Sequence, residues 1–332
     1  MSGGPGTTAR HGRYLLRRLG QAVVVLGIVL LLQFALLHLA PGDIADVIAG
    51  EVQSADPAFI EQLRRDLGLD RPLPVQFLIY VGRLLALDFG MSHAFNVPVL
   101  TLIVERLPAT LLLMFTAIGL AFVAGAALGI VAAAFRGRWP DVAVTIAALL
   151  FYATPVFLVG IVLILIFTVW LRVLPMSGMY VTWVQHTWWS FTVDVARHLI
   201  MPAVSLALFY VAIYTRLMRA TMLEILNQDY VRTAWAKGLS PARVLLRHAA
   251  RNALLPMITM LGLQVGSLLG GAVLVETVFG WPGIGRLAFE AVFRRDIPLV
   301  LGILFLSSVL VLAINLLVDL IYTRLDPRIV LR

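Results

Sequence analysis

Six long apolar stretches dominate the sequence and leave it few ways to fold: residues 19–40, 107–135, 142–171, 199–223, 253–275 and 298–322. Each is close to or above the ~20 residues an α-helix needs to cross a bilayer's hydrocarbon core. Only 13% of the 332 residues are charged and 61% are hydrophobic, whereas a soluble domain carries about 25% charged residues. The bilayer is therefore the solvent, and the expected class is an all-α integral membrane protein of about six transmembrane helices. With no cysteine in the chain, disulfides and thiolate metal or redox chemistry are excluded, and helix packing has to hold the fold.

The chain holds 26 basic residues against 18 acidic ones, a balance that in a soluble protein would suggest nucleic acid. Their distribution gives another explanation. With both termini inside, the inner segments hold 16 basic and four acidic residues, and the outer segments 10 basic and 13 acidic. That is the positive-inside bias, and it accounts for the excess charge without nucleic acid.

Residues 1–18 form a basic cytoplasmic N-terminus, of which 1–9 are small and polar and expected to be disordered. The apolar run that follows, 19–40, is too long for a signal-peptide core and reads as an uncleaved first helix. Residues 41–106 read as a small extracytoplasmic subdomain, with an amphipathic stretch at 59–67 and a turn at Asp70-Arg71-Pro72-Leu73-Pro74. Residues 107–322 form the core with helices two to six, and 323–332 a cytoplasmic tail. His38 stands near the outer end of helix one without a second ligand at metal spacing, so an interfacial role is expected. Trp183, Trp188 and Trp189 suit an aromatic belt.

Small residues recur every fourth position in two spans. Ala121, Gly125 and Gly129 in helix two, and Gly262, Gly266 and Gly270 in helix five, predict close helix approach. Gln264 and Ser267 lie on adjacent faces of helix five and are candidates for pathway lining or an interhelical hydrogen bond. Pro155, after Thr154, and Pro202 predict kinks or packing adjustments. Gly283-Ile284-Gly285 follows no strand and lacks the remaining spacing, so it is no nucleotide fingerprint.

The longest polar, basic interval between apolar spans runs from Glu224 to Pro256. Two short helices are legible there. Asn227 can cap the first, with Asp229 in its first turn, Lys237 in its last and Gly238 at the left-handed position that ends it. Ser240 can cap the second, with Pro241 at N1, and Arg243, Arg247 and Arg251 then share one face.

Tyr230-Val231-Arg232-Thr233-Ala234-Trp235-Ala236-Lys237-Gly238-Leu239-Ser240, followed by Arg247-His248-Ala249 and Arg251-Asn252-Ala253-Leu254-Leu255-Pro256, resembles the signature loop of permease subunits of ABC importers, dipeptide/oligopeptide/nickel branch. The widespread form opens on Glu-Ala-Ala with Gly seventh; here Arg232 replaces the acidic residue, and the run from Gly238 to Pro256 is longer, both typical of the peptide branch. Leu87-Asp88-Phe89-Gly90-Met91-Ser92, the stretch from Glu276 to Leu287, and Leu325-Asp326-Pro327-Arg328 are similar to the same family.

The resemblance implies a type I importer permease fold whose cytoplasmic loop, 224–252, carries a coupling helix fitting a groove on an ATPase subunit. It assigns coupling to Tyr230, Arg232, Thr233, Ala234, Lys237, Gly238, Leu239 and Ser240. It further implies a second, homologous permease subunit, two ATPase subunits that hold ATP and Mg, an extracytoplasmic solute-binding protein, and a place in the inner membrane of a bacterium or archaeon. The chain contains no G-x-x-x-x-G-K-[ST], G-x-S-x-G or H-E-x-x-H, so it is expected to be non-catalytic and to bind neither cofactor nor metal itself. Di- or oligopeptides are the expected cargo; nickel chelates, glutathione or another small solute remain as alternatives. A secondary transporter would need inverted repeats or an ion relay, and the spans show neither clearly.

Overall fold

A computed structural model of the chain describes residues 6–39, 65, 70–185 and 187–325. Its regular elements among these residues are helices and one hairpin: α1 (Gly6–Leu39), α2 (Leu73–Leu85), β1 (Met91–Ser92), β2 (Val97–Pro98), α3 (Val99–Ala134), α4 (Trp139–Ala153), α5 (Val156–Leu163), α6 (Trp188–Leu226), α7 (Asp229–Ala236), α8 (Pro241–Arg243), α9 (Arg251–Val278), α10 (Ile284–Phe293) and α11 (Ile297–Leu325). A π-helical turn, Ile164–Trp170, extends α5, and a second, Val244–Ala250, joins α8 to α9. By its contacts the chain forms two units, Met1–Glu105 with Ala288–Arg332, and Arg106–Leu287.

Among the described residues four helices are long and apolar enough to span: Arg17–His38, Val99–Ala134, Trp188–Leu226 and Ile297–Val318. The third expected span is broken. Trp139–Ala153 and Val156–Trp170 meet at 105°, sharper than the kink that Thr154-Pro155 predicts. Pro155 has no N–H to continue the ladder, and it drives Thr154 into an extended conformation, ψ 128°. Thr154 closes the helix at the Leu150 carbonyl, which accepts from both its amide at 3.0 Å and its Oγ1 at 2.7 Å. The stretch expected as helix five lies in α9, 28 residues long; the side chains of Gly266, Ser267 and Gly270 lie outside the described residues. The expected amphipathic stretch 59–67 lies, except for residue 65, outside them as well, as do residues 1–5 and 326–332.

Helix ends run past the apolar stretches. α3 starts at Val99 and has 36 residues, about 54 Å of helix against a hydrocarbon core of ~30 Å. Its polar Glu105-Arg106 pair and Pro108 mark the edge of the apolar run, yet the helix continues through them. The expected turn at 70–74 closes early, because Pro72 takes the N-cap position and Leu73-Pro74 open α2.

In the first unit, α1 packs on α11 and on α2. Tyr80 donates to Gln33 Oε1 at 3.1 Å, and burial lifts its hydroxyl to a pKa of about 12, so it stays a donor. His38 Nδ1 donates to the Phe34 carbonyl at 2.9 Å and its ring also meets the Gln76 side chain. Asp296 N-caps α11 through the Leu299 amide at 3.2 Å. Its second oxygen accepts from Ser92 Oγ at 2.5 Å and from the Ala94 amide at 3.1 Å, which fixes the hairpin to the head of α11.

The second unit is organised on α6, which packs against α4, α5 and α9. In its most apolar window 67% of residues are buried, against 11% for the first span, so α6 is the central helix of this unit. Pro202 is buried inside it without breaking it. A Cβ on Gly125 would stand 2.5 Å from Tyr214 Cβ, and one on Gly129 would stand 2.5 Å from Met218 Cβ. Those two glycines therefore let α3 approach α6 backbone to backbone. Trp183, Trp188 and Trp189 are exposed.

Candidate functional site

The polar interval forms a knob at the end of α6. Asn227 closes α6 as its C-cap, its Nδ2 donating to the Leu223 carbonyl at 2.9 Å. The expected role of Asn227 as N-cap of α7 is thereby corrected by one residue: Gln228, extended at ψ 148°, occupies that position. Asn227 is held by the helix it ends, because an Asn amide there satisfies an orphan carbonyl. Asp229 stands in the first turn of α7 and Lys237 is its C-cap. Gly238 follows at φ +74°, and the Leu239 amide reaches back to the Ala234 carbonyl at 3.4 Å, a Schellman-type ending.

Ser240 is the N-cap of α8 with Pro241 in its first turn, and no side-chain cap bond forms. The second helix does not stop: it passes through the π turn Val244–Ala250 straight into α9. Arg243, Arg247 and Arg251 are all exposed along it.

The knob has its own core. Val231, Ala234 and Val244 are buried together, with Ile225, Leu226 and Leu239 packed against them. Ala234 and Leu239 thus hold α7 to the start of the next helix, while Tyr230, Arg232, Thr233, Lys237, Gly238 and Ser240 lie at the surface. Arg232 sits 3.5 Å from the Asp229 carboxylate, an exposed pair worth little. Thr233 Oγ1 donates to the Asp229 carbonyl at 2.9 Å, and Asn252 Nδ2 donates to the Tyr230 hydroxyl at 2.8 Å, tying α9 to α7. Sequence reasoning missed Trp235, which is 46% exposed on the same helix as the 44% exposed Tyr230. Large half-exposed aromatics on a short helix are the usual anchors of a protein interface; the i, i+5 spacing of these two had been absorbed into the motif.

The knob is braced to the helices behind it. Arg219, about two turns before the end of α6, grips Asp141 of α4 with two bonds, Nε to Oδ1 at 2.6 Å and Nη2 to Oδ2 at 2.8 Å. Asp141 Oδ2 also accepts from the Gly137 amide at 2.9 Å, so the α3–α4 turn, with Gly137 at φ +74°, is locked to the same carboxylate. The guanidinium of Arg216 lies 4.3 Å from the centre of the Tyr152 ring. A shift of α6 therefore pulls α4 with it.

A second constellation explains the Gly-Ile-Gly run. The carboxylate of Glu276, at the end of α9, is fully buried. Oε1 accepts from Thr110 Oγ1 at 2.7 Å and Oε2 from the Arg286 amide at 2.9 Å. Thr110 Oγ1 in turn accepts from the Ile284 amide at 2.8 Å. A Cβ on Gly283 would fall on the Glu276 carboxylate, and one on Gly285 would stand 2.8 Å from Val273 Cα. These glycines leave room for the Glu276 carboxyl group at the head of α10, where its free amides point. Trp281 completes the clamp, Nε1 donating to the Ala109 carbonyl at 2.8 Å. Gln264 is half-buried in α9 and is engaged by the chain.

Fold and site together define a multi-pass helical membrane protein with a self-supporting surface knob bolted to its central helix. The comparisons narrow this. Residues 125–331 match the family described as "Binding-protein-dependent transport system inner membrane component", and residues 12–114 the N-terminal model of the same system. The chain is 42% identical over 321 residues to the probable peptide ABC transporter permease protein y4tP of Sinorhizobium fredii, covering 96% of this chain and 99% of that one. It is 42% identical over 331 residues to the di/tripeptide transport system permease protein DppB of Pseudomonas aeruginosa, covering 95% and 98%. It is 40% identical over 316 residues to the glutathione transport system permease protein GsiC of Escherichia coli K12, covering 95% and 98%. In fold it is similar to the MetNI methionine ABC transporter in inward-facing conformation, at TM-score 0.54 and 18% identity over 70% of this chain and 97% of that one. The chain belongs to the binding-protein-dependent transport system inner-membrane component family, and it is the permease subunit of an ABC importer.

Proposed function

We propose that this permease carries di- or oligopeptides, forming half of the pathway beside a second, homologous permease subunit. Two ATPase subunits holding ATP and Mg would sit on its cytoplasmic face and a solute-binding protein on the other. The printed names of the relatives, peptide, di/tripeptide and glutathione permeases, support one cargo class, since glutathione is itself a short peptide with a free amine and carboxylates. The coupling element is α7 with the Gly238 turn, and both termini lie on its side of the membrane.

The observation that carries the coupling assignment is the construction of the knob. Val231, Ala234 and Val244 give it a core of its own, so α7 keeps its shape while Tyr230 and Trp235 face outward for a partner. The Arg219–Asp141 bond then passes its displacement to α4. ATP-driven closure of the ATPases would select the state in which this body moves inward as one piece. Glutathione as sole cargo is a second reading, favoured by the similarity to GsiC. Reconstituting the complex and measuring ATP hydrolysis with dipeptides, longer peptides and glutathione tests both. Stimulation by none of them overturns the cargo assignment, and an assembled complex in which α7 is protected by no ATPase subunit overturns the coupling assignment.

A further inference from the structure

The turn between α3 and α4, Phe135-Arg136-Gly137-Arg138, carries two guanidiniums that none of the contacts above uses. Its shape is fixed from within. The Arg138 amide donates to the Phe135 carbonyl at 2.9 Å, Gly137 takes φ +74°, and the Gly137 amide donates to Asp141 Oδ2 at 2.9 Å. Arg136 and Arg138 are both exposed, and among the described residues neither side chain has a hydrogen bond, ion pair or ring contact. Asp141 is the only acidic residue between Glu105 and Asp194; it is buried, and the two bonds from Arg219 already neutralise it. The next acidic groups along α6 and α7, Glu224 and Asp229, stand past Arg219 toward the knob.

The flanks of the turn set its level. No charged residue stands between Arg106 and Arg136, and after Asp141 none comes before Arg172. Both helices therefore leave the turn directly into apolar chain, and four residues cannot carry it away from the bilayer surface. Trp139 is 80% exposed, and Phe135 is exposed on the other side of the pair. Aromatic rings beside basic side chains at the ends of apolar helices fit the headgroup region. The Asp141–Arg219 bonds put this part of α6 at the same level, and α6 runs on for seven residues, about 10 Å, before the knob begins. A partner seated on α7 is that far from the turn along α6.

We propose that the α3–α4 turn is a binding site for the phosphodiester headgroup of an anionic phospholipid, in the leaflet on the knob's side of the membrane. Arg136 and Arg138 face the phosphate layer, and Phe135 and Trp139 bury their rings just beneath it. The Asp141–Arg219 bonds place the turn with the knob, whichever solute the chain carries. Charge complementarity commits the occupant: each unpaired guanidinium gains about a fivefold factor from an anionic surface, and nothing net from a zwitterionic one.

The test uses the full chain with the subunits that co-purify with it, in nanodiscs, carrying a single bimane-labelled cysteine at Val142, which is exposed on α4 one turn after Arg138. Quenching by brominated phosphatidylglycerol is compared with quenching by brominated phosphatidylcholine at equal fractions. About a thirtyfold preference for phosphatidylglycerol is expected, the product of about fivefold for each arginine. Arg136→Gln with Arg138→Gln should bring that preference close to unity, while Arg136→Lys with Arg138→Lys, which keeps both charges, should preserve it. Neither arginine has a contact to lose among the described residues, so both double variants keep the fold. Equal quenching by the two lipids with both arginines present overturns the proposal, as does a preference that survives in the glutamine variant or disappears in the lysine one. Loss of the preference on adding millimolar inorganic phosphate at constant ionic strength overturns it too, since a free anion would then be the ligand. So does cross-linking of a single cysteine at Phe135 to another subunit, which would make the turn a protein contact.

Discussion

Gly238 offers a perturbation whose cost can be isolated. Its φ is +74°, and a Cβ built on it would meet nothing within 4 Å. Any substitution therefore acts through the backbone alone, without a steric term. A β-branched residue held at this angle costs about 1–3 kcal/mol, alanine about 1–2, and asparagine less, because its side chain tolerates the left-handed region. If valine costs about 2 kcal/mol, the population keeping the native turn falls about thirtyfold against the re-aimed one, and the packing of Leu239 on Val231 and Ala234 is lost with it. We expect Gly238→Val to insert normally, since the turn lies outside every apolar span, yet to lose ATPase co-purification and peptide-stimulated ATP hydrolysis. Gly238→Asn should recover most of both. The assay is ATP hydrolysis in reconstituted complexes bearing valine, alanine or asparagine, with and without loaded binding protein. Full stimulation in the valine variant, or an asparagine variant no better than the valine one, would refute the assignment of this turn to coupling.

Asp141→Asn should lower the thermal midpoint of the purified complex and uncouple hydrolysis from transport, because it strips charge from a bidentate pair and leaves Arg219 facing a neutral amide. About 2 kcal/mol is reasonable for a pair whose arginine is 32% exposed, and no change in melting would show the bond to be idle. Gly283→Ala must displace the Glu276 carboxylate, so it should lower the midpoint more than Glu276→Gln, which keeps the shape; the reverse order in a melting series refutes the clamp. For topology, cysteines introduced at Thr182 and Lys237 into this cysteine-free chain should react oppositely in intact cells, Thr182 with an impermeant thiol reagent and Lys237 only after the membrane is opened.

Much of this was legible because the bilayer makes long apolar runs costly to place anywhere but in helices, so the span positions follow from 19–40 or 298–322 alone. The Gly238 turn was equally readable: a glycine after Lys237 and before Leu239-Ser240-Pro241 has one common use. What could not be read depends on distance. Asp141 and Arg219 are 78 residues apart, and neither carries a local sign of the other. Gly283 and Gly285 could be read only as no nucleotide fingerprint until Glu276, seven residues before the first of them, is seen to need their missing side chains. The register of α7 slipped by one residue because Asn227 can serve either neighbouring helix, and α6 claims it through Leu223. The 105° break shows that Thr154-Pro155 states where a helix must yield, while packing against α6 decides by how much.

Asp296 leaves a mechanical signature on the first unit. Because one carboxylate both caps α11 and holds Ser92 and Ala94, the hairpin, which runs on into α3 at Val99, is tied at its tip to the head of α11 as a pointer is pinned to a shaft. α11 is 29 residues long, about 43 Å, so a tilt of about 10° around its far end sweeps the pointer through about 7 Å. A rotation too small to disturb helix packing is thereby written as a displacement large enough for a spin label at Phe95 to read.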